Sequence, residues 1–237
     1  MADHHAVIGD LVCANRILLR QGIVDAFGHV SARHPGRADR FFLSRNRAPA
    51  LVEAEDILEF DLDGAPIRPD HPPVYLERFI HAALYRARPD VGAVVHSHSP
   101  SVIPFGAAHG SCLKPVSHMA GFLGAGAPVY EIRDSAGSAS DMLIRDNELG
   151  DAVARALGDA PVVLMRGHGA TAVGRDIPHA VFHAVYTEWN ARIQADTLTL
   201  GPPIYLTPEE GAAAAAANEG QIGRAWDYWK YQMGASA

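Results

Sequence analysis

Cysteine is scarce in this chain. Cys13 and Cys112 are the two that occur in 237 residues, and no metal-type spacing links them, so a disulfide framework is excluded. Long apolar runs are missing as well: no stretch of about 18 apolar residues exists, and no transmembrane helix is expected. Positive charge is in deficit. Twenty Lys and Arg stand against 27 Asp and Glu, for a formal net charge of −7, which argues against nucleic-acid binding because that needs a basic footprint. The opening MADHHAVIGD lacks a basic region followed by an apolar stretch, so no secretory leader is expected and the cytoplasm is the expected location. What is present is ordinary for a globular protein, with 48% apolar and 20% charged residues. The length suits one large domain or at most two. No linker or repeat stands out, and the reading adopted is one domain over 1–237.

Along the chain, residues 4–21 place Val7, Ile8, Leu11, Ala14, Leu18 and Leu19 at helical spacing, and Gly22 ends that helix. Strands are expected in "DAFGHVSARHP" (25–35), "RFFLSR" (40–45) and "DILEFDLDGAPI" (56–67), the last turning at Asp63-Gly64. Residues 74–89 predict a helix with Leu76, Phe79, Ile80, Ala83 and Leu84 inward. "APVVLMRGHGATAVG" (160–174) reads as an apolar strand that breaks at Gly167-His168-Gly169 and resumes. A long helix is expected from Asp176 to about Leu198. Thr207-Pro208 with two acids after it starts another through the alanine run. The tail "RAWDYWKYQM" (224–233) is unusually aromatic, and 207–237 is read as a helical aromatic tail. Strands and helices interleaved in this order predict an α/β domain with a mixed sheet.

The chemistry sits in "DVGAVVHSHSP" (90–100). Side chains two apart on a strand share a face, so His96 and His98 point the same way from a rigid strand end, an arrangement suited to a divalent metal. A hydrogen-bonded pair in a turn is the alternative. Glu77 and His81 lie four apart on the preceding helix. A helix running back antiparallel to the strand brings Glu77 near the strand's end, as a fourth ligand or a proton-transfer group. The alternative for Glu77 is an ion pair with Arg78 or Arg88. His168, between two glycines at a strand break, is the natural third imidazole. Three histidines and a carboxylate with an open position form a catalytic pattern rather than a closed structural one. His179 and His183 read as a helix-face or interface pair, and His4, His5, His34, His71 and His109 as surface residues.

Glu77, "VVHSHSP", "LMRGHGATAVG" and the upstream "GHVSAR" together resemble the class II aldolase/adducin family over about residues 6–200. The resemblance implies a three-layer αβα sandwich around a mostly antiparallel or mixed sheet, assembled as a homotetramer with active sites at subunit interfaces. It implies one divalent metal per subunit, manganese or zinc and alternatively iron, on His96, His98 and His168, with Glu77 as general acid/base. The aromatic tail suits a segment that reaches a neighbour's site. Where sugar-phosphate aldolases of the family carry two serines this chain has Tyr75-Leu76, and His29 replaces a phosphate-loop asparagine. A phosphorylated substrate is therefore not expected. "GHVSARHP", "FFLSRNRAP" and "SHMAGFLG" are instead similar to a branch that decarboxylates hydroxylated aromatic or pyridine dicarboxylates.

Arg45 and Arg47 are candidates for carboxylate binding as a fork, although surface arginines are common. His29, Ser31, His118 and Tyr228 are further candidate substrate contacts, and Phe27, Phe122, Trp226 and Trp229 are candidates for stacking on a ring. Aldol cleavage and decarboxylation both leave electron density that a Lewis-acidic dication can stabilise in an enolate-like form. The expected function is a metal-dependent carbon–carbon lyase acting on a small hydroxy-carboxylate, with decarboxylation ahead of retro-aldol cleavage. An Fe(II) oxygenase and a non-catalytic adducin-like scaffold are the rival classes.

Overall fold

The computed structural model describes residues 4–234. Helix α1 (His4–Arg20) leads into strands β1 (His29–Arg33), β2 (Arg40–Ser44) and β3 (Ile57–Asp61). Helix α2 (Arg78–Ala87) precedes β4 (Ala93–Ser97), and the short α3 (Ile103–Ala107) follows it. Then come β5 (Val129–Tyr130), α4 (Arg133–Ala136), α5 (Asn147–Leu157), β6 (Val162–Met165), β7 (Gly169–Gly174) and α6 (Ile177–Leu200). Helices α7 (Pro208–Glu219) and α8 (Ile222–Gln232) complete the described chain.

The seven strands form one sheet in the order β3-β2-β1-β4-β7-β6-β5. Every pairing is antiparallel except β5 with β6. Alternation along the central strands sends side chains to two separate cores. Ala93 and Val95 of β4 join Val30, Ala170 and Ala172 beneath α1 and α6. Val94, with Phe41, Leu43, Val163 and Val173, packs beneath α2 and α5. This is the expected αβα sandwich, with helices on both faces of a mixed sheet.

Local chemistry explains the helix ends. Asp146, Asp176 and Thr207 each accept a backbone N–H of the first turn, starting α5, α6 and α7. Thr207 and Glu210 close a reciprocal capping box. Two expectations need correction. Residue 77 caps α2 rather than lying inside it: residues 74–77 are irregular and then turned, and Leu76, expected to face inward, is 53% exposed. His34 is buried at 7% exposure, its ring edge-on to His4 and tilted on Phe42, so it is a packing residue and not a surface one.

Candidate metal centre

The β4–β1 and β4–β7 pairings place three segments at one end of the sheet. His96 is fully buried in β4, opposite His29 of β1 and Thr171 of β7. His98 follows one residue past the end of β4 on the same side. His168 occupies the turn of the β6–β7 hairpin. Gly167 there adopts φ +63, which a β-carbon disfavours, and a Cβ on Gly169 would overlap the Ser97 carbonyl. Helix α2 runs back antiparallel to β4, so Glu77 at its start meets the end of the strand, as its sequence position implied.

Glu77, His96, His98 and His168 each offer one ligand atom, all within 4.8 Å of one another. Glu77 Oε2 lies 3.5 Å from both His96 Nε2 and His168 Nε2. His98 Nε2 and His168 Nε2 are 3.0 Å apart. The outer sides of two of the rings, His168 and His96, are anchored. His168 Nδ1 donates to the Met142 carbonyl at 2.9 Å, so in the neutral ring the lone pair is on Nε2, where a metal would displace the proton that Glu77 otherwise favours. Thr171 donates its hydroxyl proton to Met165 Sδ and so accepts from His96 Nδ1 at 3.2 Å. His96 Nε2 then also carries a lone pair, and among the described residues it has no hydrogen-bond partner although it is buried. Met142, which holds His168, is itself at φ +71, the one described non-glycine residue in that region, a local strain retained beside the centre.

The charges agree with a ligand role. Burial alone would raise the Glu77 carboxyl, but the facing His96 and His168 imidazoles hold it well below the usual carboxylate range, so it is ionised. Burial lowers His96, and burial together with the neighbouring His96 and His168 rings brings His98 to about 4. Burial pushes His168 down as well, but the Glu77 carboxylate more than offsets it and lifts the ring above its ordinary value. A carboxylate and inward-facing imidazole lone pairs, one of them an orphaned buried nitrogen, fit a divalent transition metal. Nitrogens fixed from behind by a carbonyl and a hydroxyl are characteristic of such sites.

The other candidates fall into three places. His29 borders the centre, its ring 5.1 Å from that of His96 and 4.6 Å from that of Tyr75. Ser31 lies behind it, fully buried with its hydroxyl engaged by His81 and Tyr85. No surface of Ser31 is left for a substrate, which corrects its expected role. Arg45 Nε and Arg47 Nη1 both grip the buried Asp56, at 2.6 and 2.7 Å, with other guanidinium N–H groups left over. Tyr75 connects this pair to the centre by donating to the Arg47 carbonyl while its ring packs on His29.

His118 and Tyr228 stand apart. They line a cavity of about 600 Å³ between α6 and α8, together with Tyr186, Arg224 and Trp229, and no metal-centre residue is in its wall. Trp226 and Trp229 are core residues, and Phe122 packs on His183. Phe27 is 65% exposed, with its ring 6.3 Å from that of His98. His81, Tyr85 and Asp56 were missed as site residues. Glu77, His81 and Tyr85 recur every four residues, and that ladder was visible in the sequence.

Residues 9–195 match the family described as Class II Aldolase and Adducin N-terminal domain. The chain is 40% identical over 237 residues to the decarboxylase tropJ of Talaromyces stipitatus, covering 90% of this chain and 88% of that one. It is 30% identical over 224 residues to a 3,4-dihydroxyphthalate decarboxylase of Arthrobacter keyseri, covering 86% and 83%. An aldolase II superfamily protein from Pseudomonas syringae superposes with a TM-score of 0.80 over 98% of this chain and 93% of that one. At 21% identity that likeness speaks to the fold alone. The chain belongs to the class II aldolase and adducin family. It is an enzyme, a lyase, in keeping with relatives that are decarboxylases and aldolases.

Proposed function

We propose that this lyase decarboxylates a hydroxylated aromatic or heteroaromatic carboxylate, with a dicarboxylate as the favoured class. The observation that carries the reading is the Glu77–His96–His98–His168 cluster, in a chain whose relatives include a dihydroxyphthalate decarboxylase. His96, His98 and His168 would hold one divalent ion, manganese or zinc before iron. When bound, that ion supplies Lewis acidity to the substrate's oxygen substituents, where charge accumulates as the carbon–carbon bond breaks.

The remaining work falls to the chain. Glu77 starts ionised and takes the proton of the ring hydroxyl beside the departing carboxylate. Carbon dioxide leaves, and Glu77 returns the proton to the ring carbon, while solvent supplies the proton that restores the phenol. Arg45 and Arg47 retain net positive charge after pairing with Asp56 and hold a second carboxylate as a fork. His29 lies between that pair and the centre.

His118 and Tyr228 are proposed to serve a neighbouring subunit's site within a homotetramer, since within one chain they border a separate cavity. Residues 1–237 are proposed to form one domain, working in the cytoplasm. No described helix is long and apolar enough to cross a membrane. Retro-aldol cleavage of an unphosphorylated hydroxy-carbonyl compound is the second reading. A 5-deoxy-D-ribulose 1-phosphate aldolase at 31% identity over 172 residues favours the reaction type, and Tyr75-Leu76 in place of two serines is the reason for an unphosphorylated substrate.

The test begins with protein purified without chelators or a metal column, analysed for elements and then incubated with 3,4-dihydroxyphthalate. About one equivalent of metal per chain and carbon dioxide release are expected, with activity lost to a chelator and restored by manganese or zinc. The rate should be the same without oxygen. Failure to bind any offered metal would sink the assignment. Oxygen-dependent turnover would move it to an oxygenase.

A further inference from the structure

Behind His29 a file of buried polar groups runs into the core beneath α2. His29 Nδ1 lies 2.6 Å from His81 Nε2, His81 Nδ1 lies 2.6 Å from Ser31 Oγ, and Ser31 Oγ lies 2.8 Å from Tyr85 Oη. All four residues are buried, from 0% exposure at His81 and Ser31 to 4% at His29. Ser31 and Tyr85 make no other side-chain hydrogen bond among the described residues. Tyr85 cannot shed its proton, because burial pushes the phenol well above its ordinary value. Burial likewise brings His81 to about 3, so its ring is neutral, with one N–H and one lone pair.

Counting hydrogens fixes the direction of the file. If Tyr85 donates to Ser31, Ser31 donates to His81 Nδ1, and His81 Nε2–H donates to His29 Nδ1. Every buried hydrogen then has an acceptor. If the file runs the other way, His29 Nδ1–H donates inward and Ser31 donates to Tyr85, leaving the Tyr85 proton with no acceptor in a dry core. A file with Ser31 accepting from both sides orphans the Ser31 proton instead. Buried donors without acceptors are strongly disfavoured.

We propose that Tyr85, Ser31 and His81 are positioning residues that lock His29 as its Nε2–H tautomer, making it a fixed hydrogen-bond donor beside the metal centre. The inference rests on the decarboxylase reading for what meets that donor. A donor that cannot reverse selects an oxygen anion there, a carboxylate or phenolate, and rejects a group that must itself donate. It also removes His29 from the set of metal ligands, because its remaining nitrogen carries a proton rather than a lone pair.

The test is the ring-nitrogen spectrum of the full-length, zinc-loaded protein with 15N-labelled histidine, in which the two tautomers give distinct two-bond correlations. Wild-type His29 is expected as Nε2–H. Ser31→Ala cuts the file and should convert His29 to a mixture of both tautomers, with at least a twofold loss in kcat/KM. Tyr85→Phe leaves Ser31 with His81 as its sole acceptor and should keep the wild-type tautomer, an asymmetry that loss of packing alone would not produce. A wild-type His29 carrying its proton on Nδ1, or a Ser31→Ala spectrum identical to wild type, overturns the proposal. The wild-type spectrum needs no substrate and no folded variant. If dihydroxyphthalate is not turned over while the Nε2–H form is found, it is the function that fails and not the lock.

Discussion

The two oxygens of Glu77 have different surroundings. Oε1 accepts from the Ile144 N–H at 3.1 Å, while Oε2 faces His96 and His168. Glu77→Gln can keep the Ile144 hydrogen bond and the shape of the site, yet it cannot carry a proton. Turnover is expected to fall by about 10²–10⁴-fold while elemental analysis still finds nearly one metal per chain. A variant within a few-fold of wild type would remove Glu77 from proton transfer. At this scale the sequence was informative wherever spacing alone sets direction. His96 and His98 share a strand face by parity, and His168 between glycines marks a turn, so the cluster was readable. Ser31 was misjudged because parity says which face a side chain takes, not what stands in front of it. His81 and Tyr85, one and two turns along α2 from Glu77, fill that space. Arg45 and Arg47 share a partner, Asp56, that only the folded β2–β3 region brings to them.

Helix α7 shows what a weak sequence signal can hide. Its alanines bury little, but its Gly211–Ala215 stretch lies directly on the Gly121 backbone, and polar contacts hold its C-terminal end. Asn218 Nδ2 donates to the His118 carbonyl at 2.8 Å, and Glu219 reaches His179 Nε2 at 3.1 Å and also pairs with Arg175. His179 Nδ1 meets Asp176 at 2.5 Å. Burial would lower His179, but Asp176 and then Glu219 raise it above its ordinary value of 6.5. Burial would raise Asp176, but His179 holds it below 3.8. A raised imidazole stabilises fully below the unfolded-state value and loses that contribution as pH climbs through the folded one. A lowered carboxyl stabilises above its unfolded value and loses that contribution as pH falls. The wild-type advantage in Tm over His179→Gln should therefore be largest between about pH 4 and 6.5 and shrink at higher pH. A difference that stayed constant as pH rose from about 6 to 9 would show that the pair is not titrating as described. Helices α1, α6 and α7 and the β6–β7 hairpin were legible from periodicity and caps. Helix α5 went unread although Asp146 caps it and Leu149, Val153 and Leu157 recur every four residues on its inner face, because Gly150 and the alanines between them dilute that stripe. Gly150 itself lies against the Phe79 carbonyl of α2. Strand β5, two residues long and parallel to β6, leaves no periodicity to detect.

For the molecule as a whole, the centre draws on three segments: the start of α2, the end of β4 and the β6–β7 turn. A ligand that binds the folded chain and not the unfolded one stabilises it by mass action, about 2.7 kcal/mol at one hundred times Kd. Zinc or manganese at that level should raise Tm by several degrees, an increment that His96→Ala should abolish. An equal shift in the variant would place the stabilising metal elsewhere. The separation of the histidines has a kinetic consequence too. His96 and His168 stand 72 positions apart in the chain and meet only when β7 docks on β4. Pairings so distant in sequence close late, since the intervening loop must be ordered before contact rewards it. During synthesis the first two histidines emerge well ahead of the third. The nascent chain thus has only a partial grip on any ion until the hairpin has been made and has found its neighbour. Metal capture in a refolding experiment then acts as a clock, marking the moment at which the middle of the sheet is complete.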